Sequence, residues 1–226
     1  MGSHPAPSLV RAALHVSATR FLRLPIFPLP AAILFPRAQL PLHIFEPRYR
    51  DMVRDAIEGP GRIGMNQPHA SEDEGAPLYS VGCVGEIVSV EELEDGRFNI
   101  VLLGANRFRL INEPDLGTAY RNADVDAEAF DDSEPDPLAL AQRAEVEREA
   151  RRLGDAMGLA VDWAAVARLD DEMLVNVISQ VAPFDVGAKQ ALLESPDLAE
   201  RADLLVQLMQ FQRAAVAGFE IQPTLQ

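Results

Sequence analysis

Apolar positions follow two rhythms along this chain. Over residues 21–128 they come as short alternating or solid runs cut by prolines and glycines. Beyond residue 137 they recur every three or four positions. The first rhythm predicts strands and the second helices. FLRLPIF, AILF and LPLHIF are extended pieces divided by Pro25, Pro28, Pro30, Pro36 and Pro41. Proline cannot donate to a sheet, so these pieces read as edge strands, bulged strands or extended arms. Pro47 stands where a first helical residue belongs, because its missing N–H costs nothing there. Tyr49, Met52, Val53, Ala56 and Ile57 then give an amphipathic helix that Gly59 ends. RIGMN (62–66) reads as a short strand and QPHASEDEGAP (67–77) as a polar loop. YSVGCVGEIVSVEEL and RFNIVLLGANRFRLI flank Asp95-Gly96, a hairpin turn signal. Glycines 82, 85 and 104 inside these runs predict bulges or sharp bends. AYRNADVDAE (119–128) adds a last strand. Many short, bent strands with one helix predict a small closed or half-closed β-barrel.

Residues 129–137, AFDDSEPDP, read as an acidic linker, since two prolines stop regular structure there. The remainder, 138–226, reads as a helical subdomain. LALAQRAEVEREARRL predicts one helix, and Asp162 to Ala167 a short one. DEMLVNVISQVA sets Met173, Leu174, Val177, Ile178 and Val181 on one face. Gly187 to Leu193 predicts a short helix, and Asp197 caps the last and longest. Leu198, Ala202, Leu205, Met209, Val216 and Phe219 form a stripe on it. That stripe can complete its own bundle or join a second copy as a dimer. Residues 1–20 read as a flexible leader. The fold class is therefore α+β: a bent β-barrel, 21–128, followed by an α-helical bundle.

Composition narrows the function. A formal net charge of −15 repels phosphate backbones and anionic lipid, so the reading is no nucleic acid and no membrane partner. No apolar run approaches the ~20 residues of a membrane span. Cys83 is the only cysteine, which excludes an intrachain disulfide and a multi-thiolate zinc site and fits a reducing compartment. The expected location is cytoplasmic.

Signals for chemistry are weak. GPGRIG (59–64) has the spacing of a dinucleotide loop, but it follows a helix and precedes a strand, the reverse of what a pyrophosphate site needs. DVDAEAF (124–130) has acids at alternate positions, yet Ala129 stands where a calcium loop turns on glycine. No G-x-x-x-x-G-K-[ST] and no G-x-S-x-G occurs. Lys189, the only lysine, lies in AKQALLE and reads as a solvated helix residue. His43 alternates with Leu42 and Ile44 and so points to the opposite strand face. His43 and Glu46 have the residue types of a general base and its partner. Without a nucleophile they read better as a half-exposed strand histidine and a carboxylate at a helix start, accepting N–H bonds or pairing with an arginine. The catalytic, cofactor and metal assignments are none.

FPLPAAILFPRAQLPLHIFEPRYRDMV resembles the opening of the Lon protease N-terminal domain family. The resemblance is carried by Pro28-Leu29, Phe35-Pro36, Leu40, Leu42, Ile44-Phe45-Glu46 and Arg48-Tyr49. VGCVGEIVSVEELEDGRFNIVLLGANRFRL is similar to the family's central hairpin, through Val81-Gly82, Ile87, Asp95-Gly96-Arg97, Leu103-Gly104 and Arg107-Phe108. AKQALLESPDLAERADLLVQLM is similar to its helical tail. The resemblance implies a PUA-like barrel and a bundle that bind unfolded or specific protein segments. It also implies a stand-alone member lacking the ATPase and Ser–Lys peptidase domains. Pro36, Phe45, Glu46, Arg48, Gly82, Gly96, Gly104, Arg107 and Phe108 are expected to shape the fold, with Phe45 directed inward. The expected function is a non-catalytic protein-binding module of adaptor or chaperone type. The alternatives are a small-molecule-binding regulatory domain and a hydrolase using His43 and Glu46. No peptide-binding residue is assigned.

Overall fold

The computed structural model describes residues 21–69 and 75–219; the leader, 1–20, and part of the polar loop lie outside the described residues. Six strands, β1 (Leu22–Pro28), β2 (Gln39–Ile44), β3 (Arg62–Asn66), β4 (Val81–Glu92), β5 (Phe98–Asn112) and β6 (Arg121–Asp126), form one mixed sheet. The order is β2-β5-β4-β3-β1-β6, with a further β5–β6 pairing. That last pairing closes β1, β3, β4, β5 and β6 into a barrel. β5 is long enough to serve twice: Phe98–Leu103 pairs with β2, and Arg109–Asn112 pairs with β6. β2 therefore hangs outside the closed ring as a sixth strand, bonded among the described residues to β5 alone. Pro25 fits within β1 because parallel pairing to β3 starts only at Ile26.

The barrel is narrow. Phe108, Ile26, Leu24, Val84, Ala123 and Val125 fill it. A Cβ on Gly82 would overlap the Phe108 ring, and one on Gly104 would overlap the Phe35 carbonyl. These glycines admit close approach of a ring and of a backbone segment. One register shift ends at the Gly85–Gly104 pair, where β5 carries the extra residue; a second, between Ile87 and Ser89, adds one to β4. Gly96 takes φ 77° at the hairpin turn, where glycine is favoured.

Helix α1 (Pro47–Glu58) begins on Pro47 and buries Tyr49, Met52, Val53 and Ala56. It covers one face of the β2–β5–β4 extension, packing against Ile44, Phe98 and Ile100. The C-terminal part holds α2 (Leu140–Ala156), α3 (Trp163–Val166), α4 (Asp171–Val181), α5 (Val186–Glu194) and α6 (Leu198–Phe219). On α6, Leu198, Ala202, Leu205 and Met209 are buried in the bundle, largely against α2.

The buried face of α4 differs from the apolar stripe expected. Leu174, Val175, Asn176 and Ser179 are buried, while Val181 is exposed. Both amide atoms of Asn176 are bonded there: Nδ2 donates to the Pro36 carbonyl and Oδ1 accepts from Arg201. Lys189 is also a correction: it is 6% exposed, not solvated. Its Nζ donates to the carbonyls of Ala31 at 2.9 Å and Gln180 at 2.7 Å. Burial lowers its pKa from the usual lysine value. Together with Gln180 Nε2 to the Ile33 carbonyl, these bonds stitch segment 29–38 to α4 and α5.

Two buried arginines join barrel to bundle. Arg107 bonds Asp132 at 2.8 Å and the carbonyls of Leu193, Ser195 and Pro196. Arg201 bonds the Leu192 carbonyl and lies over the Phe35 ring. Segment 129–137 is thus docked by Asp132, whose side chain is buried with Arg107.

Candidate functional site

Antiparallel partners share a sheet face. On the β2–β5–β4 extension Leu40, Leu42 and Ile44 align with Leu102, Ile100 and Phe98 on the face toward α1. Gln39, Pro41 and His43 align with Leu103, Val101 and Asn99 on the other. There His43 Nδ1 meets Asn99 Oδ1 at 2.8 Å, and Asn99 Nδ2 donates to Glu91 at 2.7 Å. Arg97 Nη1 lies 3.0 Å from His43 Nε2 and its Nε bonds Asp95. Since guanidinium can only donate, Nε2 is the acceptor and Nδ1 carries the proton. Both ring nitrogens are occupied in a row crossing three strands. Glu46 is turned to Arg48, 3.0 Å away, and caps no helical N–H with its side chain. The two candidates for general-base chemistry thus do not pair with each other.

Cys83 is fully buried, and burial drives its thiol pKa far upward, which leaves no thiolate. Among the described residues no three His, Cys, Asp or Glu are grouped to hold a metal.

Beside the free edge of β2 lies a groove of about 890 Å³. Its walls come from the end of β1 (Phe27–Pro30), from β2 and the start of α1 (Pro41–Tyr49), and from the β5–β6 connection (Glu113–Tyr120). Five prolines, at 28, 30, 41, 68 and 114, line it. Pro28 ends β1 and Pro41 interrupts β2, while Pro30, Pro68 and Pro114 each lie two residues beyond a strand end, where no ladder donor is required. Phe27 and Tyr49 pack with ring centroids 4.4 Å apart on one wall. Phe45 stands at the groove 61% exposed, with Leu116 also exposed. The inward Phe45 expected from the sequence is therefore corrected. β2 ends at Ile44, so Phe45 leaves the alternation and turns out ahead of Pro47. Its ring stacks on His43, centroids 6.2 Å apart.

Polar groups around the groove largely satisfy one another. Arg121 holds Glu113 through two bonds and the Ala76 carbonyl through a third. Tyr120 donates to Asp55 at 2.6 Å, tying the β5–β6 connection to α1. Burial and that carboxylate push the Tyr120 phenol up to about 12, so it remains a neutral donor. Asp115 accepts the Gly117 N–H. Its apolar lining, Phe27, Leu42, Phe45 and Leu116 among it, offers surface for burial of apolar side chains.

Of the residues expected to shape the fold, Phe45, Glu46 and Arg48 gather at the groove. Pro36, Gly82, Gly104, Arg107 and Phe108 lie in the barrel or at its junction with the bundle. Gly96 is in the hairpin turn. Leu116 and Tyr120 escaped the sequence reading; the only hint was an exposed-type turn, EPDLG, that nonetheless carries a leucine.

Residues 23–210 match a family model described as the ATP-dependent protease La (LON) substrate-binding domain. The chain is 26% identical over 196 residues to a Lon protease of Anaeromyxobacter dehalogenans, covering 84% of this chain and 23% of that protein. It is 30% identical over 204 residues to Lon protease 2 of Sorangium cellulosum, covering 82% and 24%. The chain spans about a quarter of the length of these relatives. A solved Lon N-terminal domain protein from Xanthomonas campestris superposes with TM-score 0.61 at 20% identity, over 82% of this chain and 98% of that one. The N-terminal domain of Mycobacterium avium complex Lon protease gives 0.59 at 18% identity, over 84% and 98%.

Proposed function

We infer the function from a premise that this match establishes: the chain belongs to the family of LON substrate-binding domains. Its role is non-catalytic binding of polypeptide segments, as an adaptor or chaperone-like factor. The observation that supports this reading most directly is the proline-walled groove with Phe45 exposed at it. Removing an aromatic ring from water is among the larger single gains available to an interface. Of the charged groups lining the groove, Glu46 is paired with Arg48 and Glu113 with Arg121, which favours a polymer over a small polar ligand. His43 and Glu46 take no catalytic part in this reading: both ring nitrogens of His43 are bonded to other groups, and Glu46 is paired with Arg48 rather than with His43.

The test is fluorescence anisotropy of a labelled, permanently unfolded, apolar-rich polypeptide titrated with the protein at low and high salt. Saturable binding that persists at high salt is expected. Phe45→Ser should weaken it roughly tenfold, the loss typical of an aromatic anchor, with an unchanged circular dichroism spectrum. An unaltered affinity in that variant would remove the groove from the proposal.

A further inference from the structure

The parity of β2 determines what its free edge offers. Gly104 N–H donates to the Ala38 carbonyl at 2.9 Å, just before β2 begins. Alternation along an antiparallel pair then directs the backbone groups of Leu40, Leu42 and Ile44 at β5. Those of Gln39, Pro41 and His43 face the other way, where the sheet has no further strand among the described residues. The edge presents three carbonyls and two N–H groups. Pro41 sits at an outward position, so its missing N–H takes nothing from the β5 pairing.

We propose that the edge of β2 captures an extended, non-acidic segment of another protein by antiparallel strand addition, its alternate side chains entering the groove. The proposal rests on the binding reading above and specifies its chemistry. Added strands gain affinity from main-chain bonds and specificity from alternate side chains. Segment residues paired with Gln39, Pro41 and His43 point to the outer, polar face. Their neighbours point to the face of Leu42, which lines the groove.

Two observations select the occupant. A second copy of this chain is a poor one: antiparallel self-pairing about Pro41 would set proline against proline and lose both central bonds. Two chains of net charge −15 also repel. At the groove, Arg48 and Arg121 are each held by a carboxylate, Glu46 and Glu113, and Asp115 adds a further negative charge. That balance favours a neutral or basic segment.

The experiment uses a fluorescein-labelled peptide alternating Val or Phe with Ser, Thr and Arg. Two further versions are N-methylated, one at all polar positions and one at all apolar positions. The unmethylated peptide should bind. Methylation at polar positions should weaken it more than tenfold, because those N–H groups donate to β2. Methylation at apolar positions should leave affinity within about twofold. Pro41→Ala restores the missing donor and should tighten the unmethylated peptide roughly fivefold, the worth of one added hydrogen bond. Equal effects of the two methylation patterns, with the parent still bound, would overturn strand addition and leave the groove reading standing. Unchanged affinity in Pro41→Ala would overturn the placement on β2. Failure of the parent peptide and of the unfolded polypeptide alike would overturn both readings.

Discussion

Phe45 and Lys189 reverse the usual expectation of which side chains face water. Phe45 lies one residue beyond a strand and one helical start ahead of α1, so neither period governs it. Alternation gives Leu40, Leu42 and Ile44 their common face correctly, and it gives His43 the opposite one. What it cannot give is the company His43 keeps, since Asn99, Arg97 and Glu91 come from other parts of the hairpin. His43→Ala deletes an exposed link, so stability should change by less than about 1 kcal/mol and peptide affinity by less than about twofold. Urea unfolding and anisotropy measure the two; an affinity loss as large as that of Phe45→Ser would restore His43 to the site. Lys189 was illegible for a related reason. Its acceptors are carbonyls of Ala31 and Gln180, and backbone acceptors leave no mark in a sequence.

At the level of elements, the strands, the Asp95-Gly96 turn and the Pro47 helix start were readable, because each is a local rule obeyed locally. The glycines show where locality stops. Gly82 and Gly104 were readable as special, but the reason is tertiary: a ring and a carbonyl occupy the space of a Cβ. Gly104→Ala would drive a methyl group into the Phe35 carbonyl, whose segment is pinned to the bundle. A loss of at least about 2 kcal/mol is expected, measured by denaturant midpoint. A neutral result would mean that segment 29–38 can slide. Likewise α4 buries Asn176 and Ser179 rather than its most apolar stripe, since Pro36, Arg201 and the α4 backbone answer their polar atoms. The groove itself was unreadable, as its walls come from three connections far apart in the chain.

For the whole molecule, charge is the dominant fact that composition alone supplies. A net −15 opposes compaction through self-repulsion, and salt screens it. The melting temperature should therefore rise by a few degrees between about 0.01 M and about 0.15 M salt, as the Debye length shortens to ~8 Å. Scanning calorimetry at matched pH reads this directly; a falling melting temperature would mean that surface ion pairs such as Arg23–Asp124 outweigh the repulsion. One feature of the core turns this global stability into a chemical signal. The chain has a single side-chain amine, and that amine is sealed between barrel and bundle. Acylating reagents should leave Lys189 unmodified in the native state and reach it only when the two halves part. Its labelling rate, read by mass spectrometry, should climb with urea in step with unfolding, making this protein its own clock for opening.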